Sequence, residues 1–420
     1  MINPFKKYIN QSHIGLIESF ISLSVLNGIN IILPLITLPY LVQTIGLSRY
    51  GAYSIVYTIL QYVLLISAYG FNYTTTKQIA QNRNNIDSIR VIFISTILAR
   101  LLMSIPAIIV GLLLVVELYT YDYYLMYIGG IGIILGDILN PVWLFQGYEK
   151  MRYMIFANLI CKVLFTLCIF IFVRYEDDYI YITILNSAGF IISGIVTFIM
   201  AFRVFGIKFV KTTFKDIIFQ IKEGWSIFLS TIFMNVYRNS NIFILGFFIS
   251  DYNVGIYSAA EKVVKAVQSI AAPISNALFP HLSSSFKGKS KKECALHILS
   301  LNKKIGVVFL AIAFLLFYTS GIINQLLFDN TDPKISELIR YMSPVILIGG
   351  MNYLLGIAGL VNMDCNNYFL KSVTISGIAS LVLLIFTVPI LNFYSGAISM
   401  IMAECILFIF CLIKIKKLSR

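Results

Sequence analysis

Nine ionisable residues stand inside long apolar runs: Glu18, Arg100, Asp137, Lys162, Arg238, Glu261, Lys262, Lys265 and Glu404. A charge at mid-bilayer depth costs several kcal/mol against lipid, so such residues face a bundle interior or a water-filled cavity and point to function. Arg100, Asp137, Arg238 and Glu404 lie within a few residues of the centres of their runs and are the costly ones. Glu18 sits near the end of its run, and Lys162 is placed to snorkel in part. Five cations against four acids is the balance expected of a cavity that takes a negatively charged solute. Arginine suits that task because its planar fork grips phosphate oxygens bidentately and keeps its charge when desolvated.

The competing explanation is that opposite charges form structural pairs between helices. Spacing separates the two in one run. Glu261 and Lys265 are four apart and share a helical face, whereas Lys262 points about 100° away from Glu261. One lysine is thus neutralised locally and Lys262 remains for another purpose. The three histidines, His13, His281 and His297, map to membrane edges or loops, so no intramembrane base for group transfer is expected. No phosphate-binding glycine loop, metal-ligand cluster or nucleophile motif occurs, so neither catalytic residues nor a metal or organic cofactor are expected.

The elements that must position these charges follow from hydropathy. Of 420 residues, 59% are hydrophobic and 12% charged, a composition whose main solvent is lipid. Apolar runs place spans at 17–40, 50–72, 91–115, 124–146, 154–173, 179–202, 225–249, 254–281, 305–327, 340–362, 369–391 and 395–413. The runs lack the short alternation of membrane strands, so an all-α polytopic membrane protein of about twelve helices is expected. Prolines at 34, 39, 106, 141, 273, 344 and 389 are expected to kink their spans. Lysine and arginine fix the orientation. With the N-terminus inside, 23 of the 32 fall in cytoplasmic segments and four (Arg49, Arg174, Lys334, Arg340) in exported loops, which also carry nine acids. The net charge of +13 is therefore a topology signal with anionic-lipid contact as a by-product, and a nucleic-acid partner is not expected. No cleavable signal is expected at the N-terminus, and the six cysteines are expected to be free thiols. Tyrosines at 119–127 and 175–181 read as interfacial anchors.

The basic segment 204–224 divides the chain into lobes of six spans, 1–203 and 225–420. A short internal echo supports the division: Gly51-Ala52-Tyr53-Ser54 recurs as Gly255-Ile256-Tyr257-Ser258, an offset of 204 residues, at the start of the second span of each half. Parallel repeats about an axis normal to the membrane give such a match.

Three blocks are similar to a known family. The first is Leu38-Pro39-Tyr40-Leu41 with Thr44-Ile45-Gly46, Tyr50-Gly51-Ala52-Tyr53-Ser54 and Tyr69-Gly70-Phe71. The second is Asn140-Pro141-Val142-Trp143-Leu144-Phe145-Gln146-Gly147 with Glu149-Lys150-Met151. The third is Glu223-Gly224-Trp225, Phe228-Leu229-Ser230, Leu245-Gly246, the run Val254 to Lys262, and Leu278-Phe279-Pro280. In this order they resemble the Wzx-type flippases of polysaccharide repeat units (O-antigen or capsule), within the multidrug/oligosaccharidyl-lipid/polysaccharide exporter superfamily. The likeness is strongest in spans 1, 2, 4, 7 and 8 and thin after residue 300.

That resemblance implies two six-helix lobes forming a V around a central cavity, and transfer of an oligosaccharide on undecaprenyl pyrophosphate from the cytoplasmic to the external leaflet by alternating access. Lys262 matches the family's basic residue after the Tyr-Ser-Ala-Ala run, and Arg238 takes a site where the family often has a polar residue. Arg100, Arg238, Lys262 and Lys265 are then expected to bind the headgroup. Asp137, Glu261 and Glu404 are candidates for coupling to H+ or Na+. The setting implied is the bacterial inner membrane with both termini cytoplasmic, in a pathway with polysaccharide polymerase and chain-length proteins. Two rival readings make different demands on the residues. A cation-extruding multidrug antiporter on the same scaffold wants acids in excess of bases, the reverse of this chain. A polysaccharide polymerase or membrane glycosyltransferase needs a catalytic surface in a sizeable loop, and the longest exported loop here is about a dozen residues.

Overall fold

A computed structural model describes residues 4–118 and 121–420; the side chains of residues 4–27, 29, 30, 118, 233, 236–238, 276, 277, 280, 281 and 284 lie outside the description. Among the described residues every regular element is helical. The elements are α1 (Pro4–Ala68), α2 (Phe71–Gln81), α3 (Ile86–Leu118), α4 (Tyr121–Ile138), α5 (Val142–Gly147), α6 (Met151–Phe172), α7 (Tyr179–Phe205), α8 (Phe214–Phe248), α9 (Asp251–Gln268), α10 (Ala271–Phe286), α11 (Lys291–Phe328), α12 (Pro333–Met342), α13 (Pro344–Asn352), α14 (Asn366–Leu391) and α15 (Tyr394–Leu418). After α13 the chain continues through Tyr353–Val361 in wide π-helical turns.

Nine helical stretches among the described residues are long and apolar enough to cross a bilayer. They carry ten of the expected twelve spans, because the first stretch, Ile31–Gln81, holds two. The remaining pair, expected at 225–249 and 254–281, falls on α8 to α10 and lies in part outside the described residues. Within it, α9 puts Glu261, Lys262 and Lys265 within about one turn. The prolines act unequally. Pro141 follows a break after Ile138 and caps α5, and Pro344 opens α13. Both lie where a missing N–H costs no intrahelical bond. Pro106 and Pro389 stay inside helices assigned without interruption.

The helices form two compact units. One holds Met1–Thr37 and Val56–Ile232; the other holds Leu38–Ile55 and Phe233–Arg420. Residues 204–224 thus belong to the first unit, and a middle piece of α1 belongs to the second. Gly46, in the middle of that piece, has a φ of 75° and a ψ of 165°, which break the helix in a region closed to residues with a Cβ.

Within the first unit α4 and α7 meet backbone to backbone. A Cβ on Gly194 would lie 2.2 Å from the carbonyl oxygen of Gly136. Small residues at such crossings let dispersion contacts hold helices together where lipid supplies no hydrophobic drive. The second unit packs α11, the π-helical turns and α15 around a core of Ala295, Ile298, Leu355, Ala358, Leu360 and Cys411, each no more than 1% exposed.

Candidate functional site

In the first unit Arg100, on α3, is 1% exposed. It forms an ion pair with the Asp137 carboxylate near the end of α4, and its Nη1 donates to the Asp137 carbonyl oxygen at 2.8 Å. The break before Pro141 explains the second bond: a carbonyl in the last turn of a helix has no intrahelical donor. Lys162 on α6 approaches the Phe190 ring, its Nζ 5.5 Å from the centroid. The structure thus joins a predicted ligand, Arg100, to a predicted coupling residue, Asp137. What results is an ion pair whose charges cancel, with Arg100 fully buried and Asp137 about a quarter exposed.

In the second unit α9 is buried along Val254–Glu261. Glu261 and Lys265 make the pair their spacing predicts, Nζ to Oε1 3.1 Å. Tyr257 donates from its hydroxyl to the same Glu261 oxygen at 3.0 Å, and Asn241 of α8 donates to the Tyr257 hydroxyl at 2.9 Å. Asn241 also donates to the carbonyl of Gly396 at 3.2 Å, and Ser399 donates to the carbonyl of Ser380 at 2.9 Å. This network ties α8, α9, α14 and α15 together with bonds that lipid cannot replace.

Glu404, on α15, belongs to a separate cluster. Asn352 donates to its carboxylate at 2.6 Å and to its backbone carbonyl at 2.9 Å, and Gln268 donates to the other carboxylate oxygen at 3.0 Å. No Lys or Arg among the described residues lies within ion-pair distance of it. The carboxylate opens on a polar cavity of about 180 Å³, lined also by Asn239, Asn241, Lys265, Gln268, Ser380 and Ser399. Ligand pockets for drug-sized molecules run from about 300 to 1,000 Å³. This cavity therefore suits water, a proton relay or a small ion, and is too small for an oligosaccharide.

Lys262 leaves the far side of α9. Its Nζ lies 4.9 Å from the Tyr50 ring centroid and 5.8 Å from that of Tyr53, and no described carboxylate pairs with it. The repeat explains how those rings arrive. A Cβ on Gly51 would stand 1.9 Å from the carbonyl oxygen of Asp251, and one on Gly255 would stand 2.0 Å from that of Leu47. Positions 47 and 251 share the 204-residue offset of the glycines, so the two repeat segments cross reciprocally at backbone contact. Ser258 donates to Ser54 at 2.9 Å, joining one more repeat-related pair. The crossing sets the rings one turn before and beside it over the lysine of α9.

Among the other predicted residues, Arg238 lies on α8 with its side chain outside the described residues. The charged residues alone did not reveal Asn241, Tyr257, Gln268, Asn352 or Tyr50. Their only sequence signal is a polar side chain inside an apolar run, plus the Gly-x-Tyr-Ser echo for the tyrosines.

Comparison with known proteins bears on what this machinery serves. Residues 16–286 match a family model described as polysaccharide biosynthesis protein. A candidate O-antigen transporter of Escherichia coli strain K12 is 26% identical over 403 residues, covering 94% of this chain and 96% of that protein. Another from Shigella dysenteriae is 30% identical over 268 residues, covering 63% and 67%. Among solved structures, the lipid II flippase MurJ in an inward closed conformation superposes with a TM-score of 0.77 at 13% identity, over 94% of this chain and 89% of that one. An inward-facing MATE family multidrug resistance transporter of the MOP superfamily gives 0.74 at 13% identity, over 96% and 99%. At these identities the two structures speak for the fold.

Proposed function

From the premise that the chain belongs to the polysaccharide biosynthesis protein family, we propose that this multi-pass membrane protein is a flippase for lipid-linked oligosaccharides. It moves an undecaprenyl-pyrophosphate-linked repeat unit from the cytoplasmic to the external leaflet of the bacterial inner membrane, with both termini cytoplasmic, by alternating access and without catalysis of a covalent step. The names of its relatives, O-antigen transporters, and the flippase fold of its structural neighbour support the substrate class. The single observation that carries the reading within this chain is Lys262. A cation held in a membrane helix by two π faces, and paired with no described carboxylate, is available to an anion.

In this reading Lys262 is the first ligand of the pyrophosphate, with Arg238 and Lys265 as further ligands. Arg100 joins only if Asp137 releases it. The prenyl tail stays in lipid. Outward movement of negative charge is favoured in an inside-negative cell by about 2.3 kcal/mol per charge per 100 mV. Coupling to H+ or Na+ falls to Glu404 first, because its carboxylate opens on an ion-sized polar cavity, and to Glu261 and Asp137 after it. Polysaccharide polymerase and chain-length proteins are the partners downstream. The test is translocation of a fluorescent lipid-linked oligosaccharide in reconstituted vesicles. Wild type should move it, and Lys262→Gln should reduce the rate by at least tenfold. An unchanged rate in Lys262→Gln removes the reading's main support.

A further inference from the structure

The contact that holds Lys262 contains a second unsatisfied group. Tyr50 is fully buried, and its hydroxyl has no hydrogen-bond partner among the described residues. Buried tyrosines elsewhere in the chain are provided for. Tyr127 donates to the carbonyl of Ile108 at 2.9 Å, and the Tyr257 hydroxyl both donates to Glu261 and accepts from Asn241. A buried hydroxyl left without a partner destabilises the state that buries it, and here its ring lies under an ammonium group that pairs with no described carboxylate. Cation–π contact compensates an ammonium only in part. The two deficits are of one kind: Tyr50 has a donor to give and Lys262 has a charge and donors to give. Both are satisfied together by phosphate oxygens.

Resting on the flippase reading above, we propose that Tyr50 is a state-dependent ligand of a diphosphate headgroup. In the unloaded state its ring lies against the Lys262 ammonium and its hydroxyl is sealed. In the loaded state the hydroxyl donates to a phosphate oxygen that Lys262 also holds. The repeat crossing governs the change. Tyr50 adjoins Gly51, at the point of backbone contact, and follows the break at Gly46 by four residues, so a shift of the Leu47–Ile55 segment against α9 about that break uncovers the hydroxyl. Tyr53 supplies the second ring face on Lys262 and fixes the direction in which the ammonium points.

The experiment measures binding of inorganic pyrophosphate to the purified full-length protein by calorimetry, with undecaprenyl pyrophosphate in nanodiscs as competitor. Tyr50→Phe keeps the ring and removes only the hydroxyl. Loss of a hydrogen bond to a charged group predicts affinity lower by roughly 10- to 100-fold. Thermal stability should be unchanged or higher, because the lost group had no partner. That combination separates a ligand from a structural residue, which would lose stability and binding together. In a second arm, Ser54→Cys with Ser258→Cys replaces the bonded hydroxyls by thiols that can close a disulfide. The oxidised protein should not bind pyrophosphate, and reductant should restore binding. Wild-type affinity in Tyr50→Phe, a parallel loss of stability, or full binding by the oxidised double-cysteine protein overturns the proposal. If pyrophosphate binds through Tyr50 but the lipid does not compete, the subsite stands and the flippase reading fails.

Discussion

Arg100 in the first unit and Lys262 in the second are both cations on helices that the sequence places in the membrane, but their surroundings solve the problem of such a charge in different ways. Arg100 is sealed against a carboxylate and a helix-terminal carbonyl, both from Asp137. Lys262 has two aromatic faces and, among the described residues, no paired carboxylate. A buried pair that cancels contributes to holding helices in place, and breaking it strands its partner at high cost. An ammonium on π faces is held weakly, by about 0.5–2 kcal/mol, and exchanges those faces for a better anion with little loss. Charge in a membrane helix therefore marks function only where the fold has left it uncompensated.

The largest expected effect tests this contrast directly. Asp137→Asn should destabilise the detergent-solubilised protein by about 3–5 kcal/mol, since Arg100 is left buried without its counter-charge. Arg100→Ala should cost less, because Asp137 keeps partial exposure. Replacing both by leucine should recover most of the loss, because the pair itself adds little beyond a well-packed apolar contact. Lys262→Gln should leave thermal stability near that of wild type. If Lys262→Gln proves as destabilising as Arg100→Ala, the distinction between a cancelled and an available charge does not hold here.

Much of this was legible in the sequence, for reasons that also explain what was not. Hydropathy gave the helices because lipid leaves the backbone no alternative to internal hydrogen bonds. The i, i+4 rule gave the Glu261–Lys265 pair and sent Lys262 elsewhere, because helical phase is local information. The partner of Arg100 was not legible, since it depends on how α3 and α4 pack. Nor was the Glu404 cluster, whose ligands Asn352 and Gln268 come from helices distant in sequence. The echo of Gly51-x-Tyr-Ser at Gly255 read as evidence of repetition. Its physical meaning, a reciprocal crossing that admits no Cβ, required coordinates.

That crossing gives the next expected effect. Gly51→Val drives a side chain into the Asp251 carbonyl and should cost about 1–3 kcal/mol of thermal stability, as overpacking does. Gly255→Val should match it through Leu47. Beyond stability, the pair sharpens the comparison of the two cations. Displacing the Tyr50 segment removes the ring over Lys262, so labelling of a Lys262→Cys thiol by a water-soluble maleimide should quicken in the Gly51→Val background. Labelling of an Arg100→Cys thiol, far from the crossing in sequence and belonging to the other unit, should not change. Equal acceleration at both positions would show general loosening rather than release of one contact.

The smallest effect comes from a carboxylate outside the membrane, and it supplies the scale for the others. Asp216 stands at the third position of α8, accepting from the Thr213 backbone amide at 2.8 Å and the Thr213 hydroxyl at 2.7 Å. The bond from the Thr213 backbone, then that from its hydroxyl, holds the Asp216 carboxyl below the ordinary aspartate range. A carboxyl lowered in the folded state stabilises the protein above its unfolded pKa, near pH 4, and the contribution disappears as pH falls through the lower folded value. Asp216→Asn should therefore lower the unfolding temperature slightly at pH 7, and the difference from wild type should shrink below pH 4. Asp137→Asn neutralises the same chemical group, and its effect at pH 7 should be several-fold larger. The two sites differ in that water can solvate the partners Asp216 gives up, whereas Asp137 is the one described carboxylate paired with the buried Arg100. Comparable shifts for the two variants would mean that Arg100 finds water or another acceptor when its carboxylate partner is lost, and that its burial is less complete than its 1% exposure indicates.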